Sequence, residues 1–120
     1  MKYHLQAITG ENGDCFRTCL ACLLDLESPT DVPDFANDPD EFWYETCNTW
    51  LRTNFGCQLH YIEADKVDPN GLKHPHLMMG VSPRGFLHCC VGCRGEIVHD
   101  PHPDQTGLIE VRQYGYFIQS

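Results

Sequence analysis

Basic residues are scarce in this chain. Eight Lys and Arg stand against 17 Asp and Glu, a formal net charge of -9, and the eight are scattered rather than clustered. Neutralising phosphates and releasing their counterions needs a basic face, so nucleic acid is excluded as the expected partner. Long apolar runs are also missing. No stretch approaches the length that crosses a bilayer, and Met1-Lys2-Tyr3-His4-Leu5-Gln6 holds nothing resembling the apolar segment of a secretory signal. The expectation is a cytoplasmic protein with no membrane partner. Internal repeats, low-complexity tracts and linkers are absent too. The 120 residues, 42% of them hydrophobic and 21% charged, read as one domain over 1–120 with one core.

Cysteine is the residue in excess, with eight copies. A disulfide framework needs an oxidising compartment, and nothing in the sequence sends the chain to one. The remaining roles are buried apolar filler, a zinc site or a reactive thiol. Cys47 and Cys57 read as filler.

The apolar pattern divides the chain in two. A first helix is expected from Cys15, introduced by Asn12-Gly13-Asp14, which supplies a turn and a capping side chain. Phe16, Cys19, Leu20, Leu23 and Leu24 fall on its buried face. Ser28-Pro29-Thr30-Asp31-Val32-Pro33 reads as a loop. A second helix is expected from Asp38-Pro39-Asp40-Glu41, with Asp38 as N-cap, Glu41 closing a capping box and Gly56 ending it. Its core stripe is Trp43, Cys47, Trp50 and Leu51. Beyond it the period shortens, and 57–62, 76–81, 86–92, 96–99 and 114–118 read as strands. Helices first and strands afterwards predict an α+β fold, with N-terminal helices packed on an antiparallel sheet.

Cys15 stands where this pattern favours chemistry. The first turn of a helix carries unpaired amide hydrogens and the positive end of the dipole, and both stabilise a thiolate. A second set of reactive groups lies in Leu87-His88-Cys89-Cys90-Val91-Gly92-Cys93-Arg94-Gly95-Glu96-Ile97-Val98-His99-Asp100. Reading Cys93-Arg94-Gly95 as a three-residue hairpin loop, with Gly95 left-handed, pairs Gly92 with Glu96, Cys90 with Val98 and His88 with Asp100. Directly opposed residues share a face, so Asp100 would hold the His88 imidazole. A two-residue loop would put Asp100 on the other face. A nucleophile on a helix tip, a base on a strand and a carboxylate on the next strand are the parts needed for acyl transfer.

The run Gly13-Asp14-Cys15-Phe16-Arg17-Thr18-Cys19-Leu20, with Ser82-Pro83-Arg84-Gly85-Phe86-Leu87-His88 and Val98-His99-Asp100-Pro101-His102-Pro103, resembles the compact bacterial and phage members of the papain-like cysteine peptidase superfamily, among them the double-glycine leader peptidases. The resemblance covers about 6–108. It implies a papain-like fold, Cys15 as nucleophile, His88 as base, Asp100 as its orienting group, no cofactor, and a peptide or protein substrate cut at a peptide, isopeptide or related amide. It also implies an oxyanion donor upstream of the cysteine, for which Gln6 is the candidate and Asn12 the substitute. The family's glycine after Asp-Cys is replaced by Phe16.

Other readings compete. Cys19-Leu20-Ala21-Cys22 and Cys90-Val91-Gly92-Cys93 are two Cys-x-x-Cys pairs, so a zinc-stabilised interaction domain held by Cys19, Cys22, Cys90 and Cys93 is one alternative. An idle papain-like binding or inhibitory module, phage-encoded, is another. His99-Asp100-Pro101-His102-Pro103-Asp104 has the donors of a hard-metal site, but its prolines read as a loop with His102 exposed. His74 and His76 flank Pro75 and read as loop residues. Arg84 reads as a turn residue beside the base strand.

Overall fold

The computed structural model describes residues 1–10, 13–39 and 41–119. Two helices, α1 (Cys15–Leu23) and α2 (Trp43–Phe55), precede five strands: β1 (Cys57–Glu63), β2 (His76–Val81), β3 (Leu87–Cys93), β4 (Glu96–His99) and β5 (Glu110–Gln119). The strands form one antiparallel sheet in the order β1-β5-β2-β3-β4, so the last strand of the chain is inserted beside the first. The fold is α+β, with both helices packed on the sheet through one contiguous core.

That core follows the periodicities. Phe16, Cys19 and Leu20 of α1 and Cys47 and Leu51 of α2 are buried against Leu59, Leu77, Cys89 and Val91. Trp43 and Trp50 flank them half-buried. Along β3, Cys89 and Val91 join the core beneath the helices, whereas His88 and Cys90 cluster with Asp100.

Local expectations are corrected at three points. Asp14 occupies the N-cap of α1 but makes no side-chain cap; its carboxylate accepts the amides of Ala7 and Ile8 instead. The helix start is thereby tied to the N-terminal segment. Asn12 lies outside the described residues. The second helix begins at Trp43 rather than at 38–41, because Phe35–Asn37 forms a separate 3-10 turn first. It does end at Gly56, in the left-handed conformation with φ 67°. The expected loop at 28–33 contains a 3-10 turn, Pro29–Asp31, capped by Ser28.

The third correction is the β3–β4 hairpin. Its loop has two residues, Arg94 and Gly95, both with positive φ (55° and 80°), as a type I′ turn requires. Arg94 is held in this unusual conformation by its amide bond to the Leu72 carbonyl at 2.8 Å. Cys93 pairs with Glu96 and Gly92 with Ile97, then the register jumps and Val91 pairs with His99. Val98 is the extra residue of a β-bulge. None of the three pairings expected from a three-residue loop forms.

Gly80 marks the tightest approach in the sheet. A Cβ there would lie 1.8 Å from the Glu110 carbonyl oxygen, at the register shift between β2 and β5. Gly80→Ala must therefore separate the two central strands. It is expected to cost about 1–3 kcal/mol, the range for overpacking, read as a lower urea midpoint; an unchanged midpoint would contradict this picture of the sheet.

Candidate active site

The bulge decides whether His88 and Asp100 can meet. With a plain two-residue hairpin, Asp100 would face away from His88. One extra residue restores the parity. Continued one position past His99, the observed register sets Asp100 opposite Cys90, diagonal to His88 and on the same face. A diagonal neighbour is within reach of an imidazole, and His88 Nε2 hydrogen-bonds Asp100 Oδ1 at 2.7 Å. The partners are those the sequence suggests; the backbone route is different.

Both groups are buried, at 5% and 3% exposure. A buried carboxylate must be supplied with donors. The segment after β4 supplies them. The amides of His102 (2.9 Å) and Gly107 (2.7 Å) donate to the carboxylate, and Gln105 Nε2 donates to the Asp100 and His102 carbonyls. Gln105 and Gly107 both have positive φ, which turns the chain back onto Asp100. Burial alone would raise the Asp100 carboxyl, but His88 and the two amides outweigh it and hold it well below the ordinary carboxylate range. Burial alone would lower His88. Hydrogen bonding to Asp100, then Cys15 and Cys90, outweighs this and raises the ring to about 11.

Cys15, half-exposed, opens α1 and meets β3 there. Its thiol is lowered to about 5. Hydrogen bonding from the Cys89 thiol contributes most, burial opposes, and hydrogen bonding and charge from His88 add to the lowering. With Nε2 committed to Asp100, Nδ1 is the ring nitrogen left for the sulfur. Cys19, Cys22, Cys47, Cys57 and Cys90 are shifted the other way, each chiefly by burial. Cys15 is the thiol set apart.

A cavity of about 480 Å³ opens in front of Cys15. Cys15, His88 and Cys89 form one side; Phe16, Trp43, Tyr61 and Met79 give it an apolar wall. The expected oxyanion donor Gln6 is buried but is not part of this lining. Its Nε2 donates to the Ile8 carbonyl at 2.7 Å, its backbone amide bonds Pro101 O at 2.9 Å, and its buried Oε1 has no hydrogen-bond partner among the described residues. It does lie beside the turn into α1, since a Cβ on Gly13 would come within 3.0 Å of Nε2. Arg84 bonds Thr106 Oγ1 at 2.7 Å and is likewise not in the lining, in keeping with a turn residue.

The four cysteines of the zinc reading do not converge. Among the described residues the one group whose ligand atoms cluster is His88, Cys90 and Asp100, all within 4.8 Å of one another. Cys93 instead contacts the Lys73 carbonyl, and Cys22 receives the His4 amide. A metal ion in the His88 cluster would have to displace the proton shared by His88 and Asp100. His102 is buried rather than exposed, its ring 6.1 Å from that of His88 and its Nδ1 accepting the Asp104 amide. His99 bonds the His4 carbonyl. His76 is no loop residue. It begins β2, fully buried, and accepts the Gly95 amide, while His74 stays exposed.

Cys89 and the wall of the cavity complete the site beyond the residues that the sequence pattern singles out. Trp43 reads as core filler, and so it is on one side. For Cys89 the signal was present: it shares strand parity with Val91, so it had to face the helix that carries Cys15.

Comparison with protein-family models, curated proteins and solved structures finds no match in any of the three. A thiolate on a helix tip, paired with an imidazolium that a buried carboxylate steadies, is an arrangement for nucleophilic attack with proton return. Iodoacetamide labelling of Cys15 is expected to climb as pH rises through about 5 and to stay flat to neutral pH. Asp100→Asn removes the charge that keeps His88 protonated, so the climb should move upward. Labelling of the native protein that still rises between about pH 7 and 9, the range of an ordinary thiol, would contradict the pairing.

Proposed function

We propose that the protein is a papain-like cysteine hydrolase that cleaves a peptide, isopeptide or related amide bond in a peptide or protein substrate. One observation carries the proposal: Cys15, partly exposed at the start of α1, lines a cavity and meets an imidazole whose other nitrogen is bonded to Asp100.

The residues have distinct roles in this reading. The Cys15 thiolate attacks the carbonyl carbon of the substrate. Negative charge develops on the carbonyl oxygen, and the first-turn amides of α1, lacking partners within the helix, point toward that region. Gln6 Nε2, outside the cavity lining but beside Gly13, which does line it, is the candidate for the second donor; one of its hydrogens goes to Ile8. Protonated His88 gives its proton to the departing amine, then takes one from the water that cleaves the acyl-enzyme. Asp100 keeps its charge throughout and holds the ring so that Nδ1 stays toward the sulfur. The apolar wall of Phe16, Trp43, Tyr61 and Met79 receives substrate and keeps water from the thiolate.

The acidic chain does not favour a nucleic-acid substrate, and among the described residues no helix is long and apolar enough to cross a membrane. A cytoplasmic site of action belongs to the same proposal, because eight free thiols, the nucleophile among them, suit a reducing compartment.

A panel of fluorogenic peptide and isopeptide amides, with electrophilic counterparts that trap the thiolate, tests the reading. Turnover is expected to fall by about 10³-fold or more in Cys15→Ala and His88→Ala, and less in Asp100→Asn, where the geometry survives but the charge does not. Mass spectrometry should place the trapped adduct on Cys15. No turnover and no adduct from any probe, in protein whose Cys15 still reacts with iodoacetamide, would replace the hydrolase with the idle binding module.

A further inference from the structure

The hydrolytic scheme uses one sulfur, but the site holds two. Cys89 comes directly after the base in sequence and, unlike it, belongs to the core cluster against which α1 packs. Cys15 packs against the same cluster, and both thiols border the same cavity. Their exposure differs. Cys15 is half-exposed, whereas Cys89 is buried among Phe16, Cys19, Leu77 and Val91. A reagent entering from solvent reaches Cys15 first.

We propose that Cys15 and Cys89 are a covalent modification site, in which a hydroperoxide oxidises Cys15 and Cys89 resolves the product into an intramolecular disulfide. The inference shares the placement of Cys15 with the hydrolase reading but does not require turnover.

The chemistry balances in two steps. The Cys15 thiolate attacks the distal oxygen of the hydroperoxide. An S–O bond forms, the O–O bond breaks, the alkoxide leaves and takes a proton from solvent, and the sulfur is oxidised by two electrons to the sulfenic acid. The Cys89 sulfur then attacks the Cys15 sulfur. The S–S bond forms, the S–O bond breaks, and the hydroxide leaves as water with the proton that Cys89 gives up. The second step consumes no further oxidant. Exchange with a small dithiol returns both thiols.

Three features favour this pair over the other thiols. Cys19 lies one turn along α1 and is fully enclosed by the core, and helix geometry holds it on the same helix as Cys15 rather than facing it. Cys90 clusters with His88 and Asp100 instead. Cys22, Cys47, Cys57 and Cys93 belong to other parts of the fold, where Cys22 and Cys93 are engaged with His4 and Lys73. Attack by Cys89 needs only a side-chain movement at the wall of the cavity that both thiols border. Its consequence is to cap the nucleophile reversibly before oxidation proceeds to the sulfinic acid, which a thiol cannot reverse.

The test treats the full chain with hydrogen peroxide, quenches with iodoacetamide and maps peptides without reduction. The expected products are a peptide cross-linked through Cys15 and Cys89, lighter by two hydrogens, and loss of iodoacetamide labelling at Cys15 that dithiothreitol restores. In Cys89→Ser the cross-link should vanish and Cys15 should accumulate as sulfinic acid; in Cys90→Ser the cross-link should persist. Because the principal readout is made on the native chain, a variant that fails to fold does not blunt the test. Sulfinic acid at Cys15 in the native chain without a cross-link, or a cross-link to any other cysteine, would overturn the proposal. A cross-link in protein that turns over no amide removes only the hydrolase, and turnover without a cross-link removes only the disulfide.

Discussion

The site depends on a carboxylate kept charged where water does not reach. Asp100 is almost wholly buried, and burying an unpaired carboxylate costs several kcal/mol or more. The fold offsets this with three donors, the His88 ring and the amides of His102 and Gly107. Two of the three come from the short segment directly after Asp100 itself. That segment, with Gln105 bracing its carbonyls and Gln105 and Gly107 at positive φ, has the shape needed to wrap a carboxylate. Once Asp100 is fixed as an anion, its consequences run outward. His88 is held protonated and oriented, and Cys15 is favoured as a thiolate. Were the carboxylate neutral, His88 would lose the partner that outweighs its burial.

The second constraint is backbone parity. A two-residue turn at Arg94-Gly95 and the bulge at Val98 each reverse the facing of the residues beyond them, and together they cancel. The turn is fixed from outside, by the Leu72 carbonyl on the Arg94 amide and by Pro69 lying against Gly95. The hairpin carrying both His88 and the route to Asp100 thus takes its register from the segment before β2. At the other end of the site, Asp14 gives up capping α1 to bind the Ala7 and Ile8 amides, which brings Gln6 alongside Gly13. Local rules are set aside at both places, and both lie next to the reactive groups. Functional sites are where such departures are expected.

Much of this was legible in the residues. Helix α1 began at the expected cysteine, strands β2 and β4 fell where their apolar patterns placed them, and the α+β order was visible in the change of period after Gly56. His88 and Asp100 were rightly brought to one face, though through pairings that do not form. The sequence could not show the bulge, because nothing about Val98 marks it as the extra residue and Arg94 is not a usual left-handed residue. The α2 start was misplaced because Asp38-Pro39 has the chemistry of a helix start, while Phe35–Asn37 takes the preceding residues into a separate 3-10 turn. The prolines around His102 suggest an exposed loop, yet it is buried because the loop folds back over Asp100. For zinc, two Cys-x-x-Cys spacings are only a site if the fold brings them together, and among the described residues the ligand atoms that cluster are those of His88, Cys90 and Asp100.

The whole arrangement turns on His88 being a buried imidazolium between a carboxylate and a thiolate. Nitrogen-15 NMR of the labelled protein reads this directly from the two ring nitrogens. His88 is expected to stay doubly protonated at pH 8, far above the ordinary value of about 6.5, and Cys15→Ala to leave the bond to Asp100 in place while lowering the pH at which the ring loses its proton. A His88 ring that is neutral at pH 8 and titrates near the ordinary value would contradict it.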